Sequence, residues 1–77
     1  MEEEIRRIIT SLFYSEREPQ FREIYAHRAE ERARKLLRKH DVDEILEKAS
    51  EMMEKGELKE SGYFMLQNFL FSLSESG

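Results

Sequence analysis

The chain has no cysteine and no tryptophan, and only one proline and three glycines among its 77 residues. Without cysteine there is no disulfide framework, no thiolate metal site and no thiol nucleophile. With so few breakers, long helices joined by short connections are expected. No apolar run approaches the ~20 residues of a membrane span. The opening Met1-Glu2-Glu3-Glu4 is acidic, unlike a signal or transit peptide, so a cytoplasmic setting is expected. β-branched residues are few and show no sustained alternation, which argues against a sheet. A glycine-rich phosphate loop and a Gly-x-Ser-x-Gly elbow are both missing.

What remains is charge and helix-forming residues: 39% of the chain is charged and 39% hydrophobic. That length is one domain, 1–77, with a small core. A chain this short buries only ~60–65% of its unfolded surface, so its stability is marginal unless something adds to it.

The net charge of −4 is unevenly spread. Residues 1–21 carry five acids against three bases, and residues 41–77 carry nine acids against three bases. Residues 22–40 carry seven bases (Arg22, Arg28, Arg32, Arg34, Lys35, Arg38, Lys39) against Glu23, Glu30 and Glu31. The simplest use of this asymmetry is internal, a basic helix pairing with acidic neighbours. The sharper use is a basic face for an anionic partner, which the overall acidity opposes at long range.

Hydrophobic spacing predicts an all-α fold, a small antiparallel bundle of four helices at about 2–14, 19–39, 42–55 and 57–75. Ile5, Ile8, Ile9, Leu12 and Phe13 form the apolar stripe of the first, with the leading glutamates placed where the helix dipole favours them. Residues 15–19 read as a turn. Pro19 suits the first turn of the next helix, and Ser15 and Glu18 are its candidate caps. Phe21, Ile24, Tyr25, Ala29, Ala33, Leu36 and Leu37 give the second stripe, its alanines allowing close helix approach.

Asp41 as N-cap with Glu44 three residues on resembles a capping box. Val42, Ile45, Leu46, Ala49, Met52 and Met53 make a third stripe, and Gly56 stands where a helix ends in the left-handed region. In the last helix Leu58, Met65, Leu66, Phe69, Leu70 and Leu73 face inward with Tyr63 at the edge, and residues 74–77 read as a frayed end.

That last helix carries more apolar surface than one stripe needs. At about 100° per residue, Phe64 and Phe71 fall nearly opposite the core arc, with uncharged Gln67 and Asn68 beside them. No charge occurs from Gly62 to Ser74. Either this helix is central and buried all round, or these four residues form a second interface.

Residues 45–68 resemble one helical hairpin of the tetratricopeptide type: Ile45, Ala49 and Met52, Lys-Gly-Glu-Leu through the turn, then Ser61 at the small-residue position and Met65 after it. Lys48 and Asn68 depart from the pattern, where the family prefers leucine and alanine. A step back of 34 residues finds no second repeat: it places His27 under Ser61 and Pro19 under Met53. The resemblance implies that helices three and four are antiparallel neighbours.

Glu23, His27 and Glu31 share a helix face, but that face points away from the core stripe and the Glu-x-x-His spacing of di-iron bundles is missing. An exposed row of ion pairs is the commoner use of such spacing, and no metal, cofactor or catalytic residue is expected. His40 suits a helix C-terminus. No Asp-Ser pair marks an acyl-carrier attachment site. For polyanions, Arg28, Arg32, Lys35 and Lys39 recur along one flank. Residues 22–40, however, hold no Asn, Gln, Ser or Thr to read bases, and the pI is ≈ 5.2.

The sequence therefore predicts a non-enzymatic helical protein that acts through protein–protein interaction, by default as a homodimer through Phe64, Gln67, Asn68 and Phe71. Another protein is the alternative partner on that face. A nucleic-acid or polyanion binder using Arg28, Arg32, Lys35 and Lys39 is the runner-up. A designed helical fold without a natural ligand is the third reading. Absent cysteine, sparse glycine and the cap suit design, whereas paired methionines and exposed phenylalanine do not. Thermophile proteins share the high charge content.

Overall fold

The computed structural model of the chain describes residues 1–75, and they form four α-helices: α1 Glu2–Arg17, α2 Arg22–Leu37, α3 Val42–Glu54 and α4 Glu60–Glu75. Helix α1 is the hub. It packs most extensively on α2 and also touches α3 and α4, while α3 and α4 pack on each other. The core is all-aliphatic: Ile5, Ile8 and Leu12 of α1, Ala29, Ala33 and Leu36 of α2, Ile45, Leu46, Ala49 and Met52 of α3, and Leu66, Leu70 and Leu73 of α4.

The first helix runs one turn further than expected, to Arg17. Pro19 then opens a single 3-10 turn, Pro19–Phe21, consistent with its fixed φ and missing N–H. The expected helix over 19–39 is therefore a short turn followed by α2. Neither candidate cap acts as one. The buried Ser15 hydroxyl donates to the Arg22 carbonyl at 3.2 Å, and Glu18 precedes the turn without a side-chain bond.

The junctions around α3 follow the sequence closely. Asp41 accepts from the Glu44 backbone N–H at 2.8 Å, and the Asp41 N–H donates to the Glu44 carboxylate at 3.3 Å, which completes a capping box. At the other end Gly56 takes φ +77°. The Gly56 N–H bonds the Met53 carbonyl and the Glu57 N–H the Met52 carbonyl, the paired bonds of a Schellman ending. This motif delays α4 to Glu60, so Leu58 lies in the connection rather than in the helix.

Gly62 lets α4 settle onto α1. A Cβ there would stand 3.4 Å from Ile9 Cγ2 and 3.2 Å from Leu58 Cδ1. The tetratricopeptide resemblance assigned the small position to Ser61, but Ser61 is exposed and the adjacent Gly62 is buried. The neighbour relation of α3 and α4 holds, with the close approach slipped by one residue. Helix α4 runs through Glu75, so Ser74 and Glu75 are helical; Ser76 and Gly77 of the expected frayed end lie outside the described residues.

Two expectations about the core fail at the α1–α2 turn. Phe13, Phe21 and Ile24, read as stripe residues, are 42–52% exposed, and Tyr25 is only half-buried. α2 buries only Ala29, Ala33 and Leu36, none of them in its first seven residues. The expected pairing of the basic segment with acidic neighbours is sparse: among the described residues no Arg or Lys of 22–40 forms an ion pair with another element, and only His40 meets Glu44 of α3, at 3.4 Å. Pairs that link different elements are Arg6–Glu57 at 2.9 Å and Lys48–Glu2 at 3.3 Å. Within 22–40, Arg34 bonds Glu30 of its own helix.

Candidate functional site

Two surfaces stand out: a charge-free strip on α4 and a cationic flank on α2. The strip exists because α4 has hydrophobic residues on more than one side while only one side meets the core. Gly62, Leu66, Leu70 and Leu73 turn inward. Phe64 and Phe71 then point to solvent, 49% and 45% exposed, with Asn68 exposed and Gln67 half-buried between them. The four residues fall within an arc of about 100° on the helix. The Tyr63 ring meets Phe64 edge-on with centroids 5.5 Å apart, which fixes that end of the strip. Helix α4 is therefore not buried all round; the hub is α1.

Glu60 and Glu75 project on the same arc and close the strip at its two ends. The strip thus has an apolar, amide-flanked middle and an acidic rim, the usual composition of an interface patch.

Along α2 and the turn that follows it, helical spacing gathers all four predicted anion-binding residues. Arg28, Arg32, Lys35 and Lys39 line one open cleft of about 790 Å³, together with Arg38 and His40. Among the described residues none of Arg28, Arg32, Lys35, Arg38 and Lys39 has a carboxylate within ion-pair distance. The acids that share the cleft have closer partners. Glu4 binds the N-terminal amine at 3.3 Å, and its carboxyl is held below the usual range, first by its own backbone N–H, then by that amine and last, through space, by Lys39. Glu31 faces His27 at 3.8 Å.

A second, smaller cleft of about 510 Å³ adjoins the first at Arg28 and Arg32 and reaches Tyr14 and Tyr25 across the α1–α2 groove. The two tyrosine rings lie 5.5 Å apart, inclined by 32°, and the Arg28 guanidinium sits 5.7 Å from the Tyr25 ring centroid. Sequence reasoning missed this pairing. Tyr14 lies off the apolar stripe of α1, and Tyr25 read as core; only the register of α1 on α2 brings them together.

The residues weighed as metal ligands stay apart in function. His27 and Glu31 are largely exposed, and among the described residues no group of three His, Asp or Glu side chains is placed to hold a metal ion. Among the same residues no helix is long and apolar enough to cross a membrane. No protein-family model, curated protein or solved structure matches the chain.

Proposed function

We propose that this chain is a non-enzymatic helical protein of the cytoplasm that works by association through α4, in the first place with a second copy of itself. The observation that carries this reading is the pair of half-exposed phenylalanines, Phe64 and Phe71, seven residues apart on a helix with no charge from Gly62 to Ser74. Large aromatics in a water-excluding setting anchor such interfaces. The absence of cysteine means that a reducing compartment costs the fold nothing.

The expected affinity follows from the exposure. Fully burying a phenylalanine side chain contributes about 1.5–3 kcal/mol. Each ring has roughly half of that left to gain, so four rings in a symmetric pair supply about 3–6 kcal/mol. Association costs at least about 4 kcal/mol. The rings alone therefore leave at most about 2 kcal/mol, a Kd no tighter than tens of millimolar, so a dimer in the micromolar-to-millimolar range draws a further ~2–6 kcal/mol from the rest of the α4 face. Glu60 and Glu75 at the strip ends place acid near acid in a symmetric pair, so added salt tightens it.

Light scattering or sedimentation from about 10 μM to about 1 mM tests this. The apparent mass is expected to rise from 9.3 kDa toward twice that value, and Phe64→Glu/Phe71→Glu is expected to stay monomeric and folded. A wild type that remains monomeric at the upper concentration rules out self-association.

A second reading, a polyanion binder on the α2 flank, is favoured by one observation: the five unpaired bases of the larger cleft. A heparin-binding measurement with Arg32→Ala/Lys35→Ala/Lys39→Ala tests it; no binding at low salt removes it.

A further inference from the structure

The cationic flank does not stand alone. Through Arg28 and Arg32 it is continuous with the Tyr14–Tyr25 end of the α1–α2 groove. Tyr14 is 43% exposed and Tyr25 half-buried, so ring surface is open to solvent at one end. From Tyr25 to Lys39 the face extends for about 20 Å at the helical rise. The one carboxylate that lines the smaller cleft, Glu3, is held by Arg7 at 2.7 Å.

Three kinds of anionic macromolecule use such bases differently. A duplex offers phosphates but keeps its base faces stacked, and residues 22–40 carry no Asn, Gln, Ser or Thr to read base edges. An anionic membrane is met best by an apolar face beside the charges. Here the exposed apolar side chains Phe13, Phe21 and Ile24 gather at the turn end, where Phe13 and Phe21 meet Tyr14 and Tyr25 edge-on, and none of the three lines a cationic cleft; the vesicle measurement below tests that patch directly. A single strand offers both a phosphate track and open base faces, the combination that a cationic groove ending in aromatic rings accommodates.

We propose that the α1–α2 face binds single-stranded nucleic acid without sequence preference, with Arg28, Arg32, Lys35 and Lys39 along the phosphates and the Tyr14–Tyr25 pair stacked on a base. This rests on the polyanion reading of the same flank and adds its aromatic end and its ligand class. The net charge of −4 opposes long-range attraction, so binding depends on the local cluster and is strongly salt-sensitive.

The test is fluorescence anisotropy with a labelled oligothymidylate, its duplex, heparin and phosphatidylserine vesicles, at about 50 and 200 mM salt. The oligothymidylate is expected to bind more tightly than the duplex. Arg32→Ala/Lys35→Ala/Lys39→Ala is expected to lower the log–log salt slope by about 2, at about 0.7 for each phosphate no longer neutralised. Tyr14→Leu/Tyr25→Leu is expected to weaken single-strand binding by about 5- to 150-fold with the salt slope and heparin binding unchanged. Tyr14→Phe/Tyr25→Phe is expected to bind as the wild type. Circular dichroism checks each fold; if the double leucine variant unfolds, Tyr14→Leu alone carries the stacking test.

Heparin binding that depends on the bases, with tyrosine variants that bind oligothymidylate as the wild type does, overturns the proposal and leaves the polyanion reading standing. A preference for duplex, or for vesicles over oligothymidylate, also overturns it. No binding to any of the four ligands at low salt removes both.

Discussion

Replacing Leu66 and Phe64 by alanine, one at a time, measures how the two sides of α4 differ. The residues are two apart on one helix, so local propensity is nearly shared. Leu66 has no exposed surface, whereas Phe64 keeps 49%. Truncating a fully buried leucine removes its transfer energy and leaves a cavity, about 3–5 kcal/mol together. Phe64 has about half its ring in water and leaves no closed cavity, so its truncation removes about 1 kcal/mol. Alanine's better helix propensity returns about 0.5 kcal/mol of that. A domain of this length has about 4–12 kcal/mol in all, so Leu66→Ala removes a large share of it and unfolds the chain outright at the lower end of that range.

In urea, with a slope of about 1 kcal/mol/M for so small a chain, the midpoint is expected to fall by about 3–5 M for Leu66→Ala and by under about 1 M for Phe64→Ala. These values apply at a few micromolar, where the chain is monomeric. Near about 1 mM the cost of Phe64→Ala is expected to grow, because the variant also loses the stabilisation that a dimer confers by mass action. Equal midpoint losses for the two variants at low concentration would refute the outward placement of Phe64, and with it the α4 interface.

Other outcomes follow from the junctions and from one ion pair. Asp41→Ala removes the acceptor of the capping box and is expected to cost about 1 kcal/mol by chemical denaturation. Gly56→Ala forces a Cβ into φ +77° although no atom stands within 4 Å of it, so the expected loss of about 1–2 kcal/mol is purely conformational; Gly56→Asn is expected to lose less. The Glu2 carboxyl is held below its ordinary range, first by its hydrogen bond to Lys48, whose own ammonium is held up by Glu2 and then Glu51. A depressed carboxyl stabilises the fold above its unfolded pKa and loses that contribution as pH falls through the folded one. Lys48→Met is therefore expected to flatten the acid limb of a stability–pH curve below about pH 4.5, and an unchanged limb counts against the pair.

Much of the fold could be read from residue spacing because the signals are local. Asp41 and Glu44 cap α3 through bonds that span three residues, and Gly56 ends it through its own φ; neither depends on distant chain. Helical period puts Phe64 and Phe71 opposite the core arc, but that this side lacks a neighbour is decided by the packing. What spacing could not supply is how far along each helix its neighbours reach. Phe13, Phe21 and Ile24 keep perfect helical period, yet they lie at the turn end of α1–α2, where little covers them. Period says which side of a helix is apolar, not which length of that side has a neighbour. The same gap hid the Tyr14–Tyr25 pair and misassigned the bases of 22–40 to internal pairing. Those features depend on the rotation of α2 against α1, and sequence separation carries no record of it.

The role of α1 as hub also shapes how the chain assembles. α1–α2 and α3–α4 are each closed by a short connection, so each pair forms without ordering a long loop. The remaining step is their docking across α1, and helical domains of this kind fold in microseconds to milliseconds. The reverse step separates the two hairpins along that seam. Amide exchange is accordingly expected to report two cooperative units, with the α3–α4 amides opening together at a lower free energy than those of α1–α2. When that seam opens, Ile9 leaves Gly62 and the Arg6–Glu57 and Glu2–Lys48 pairs part before any helix has melted.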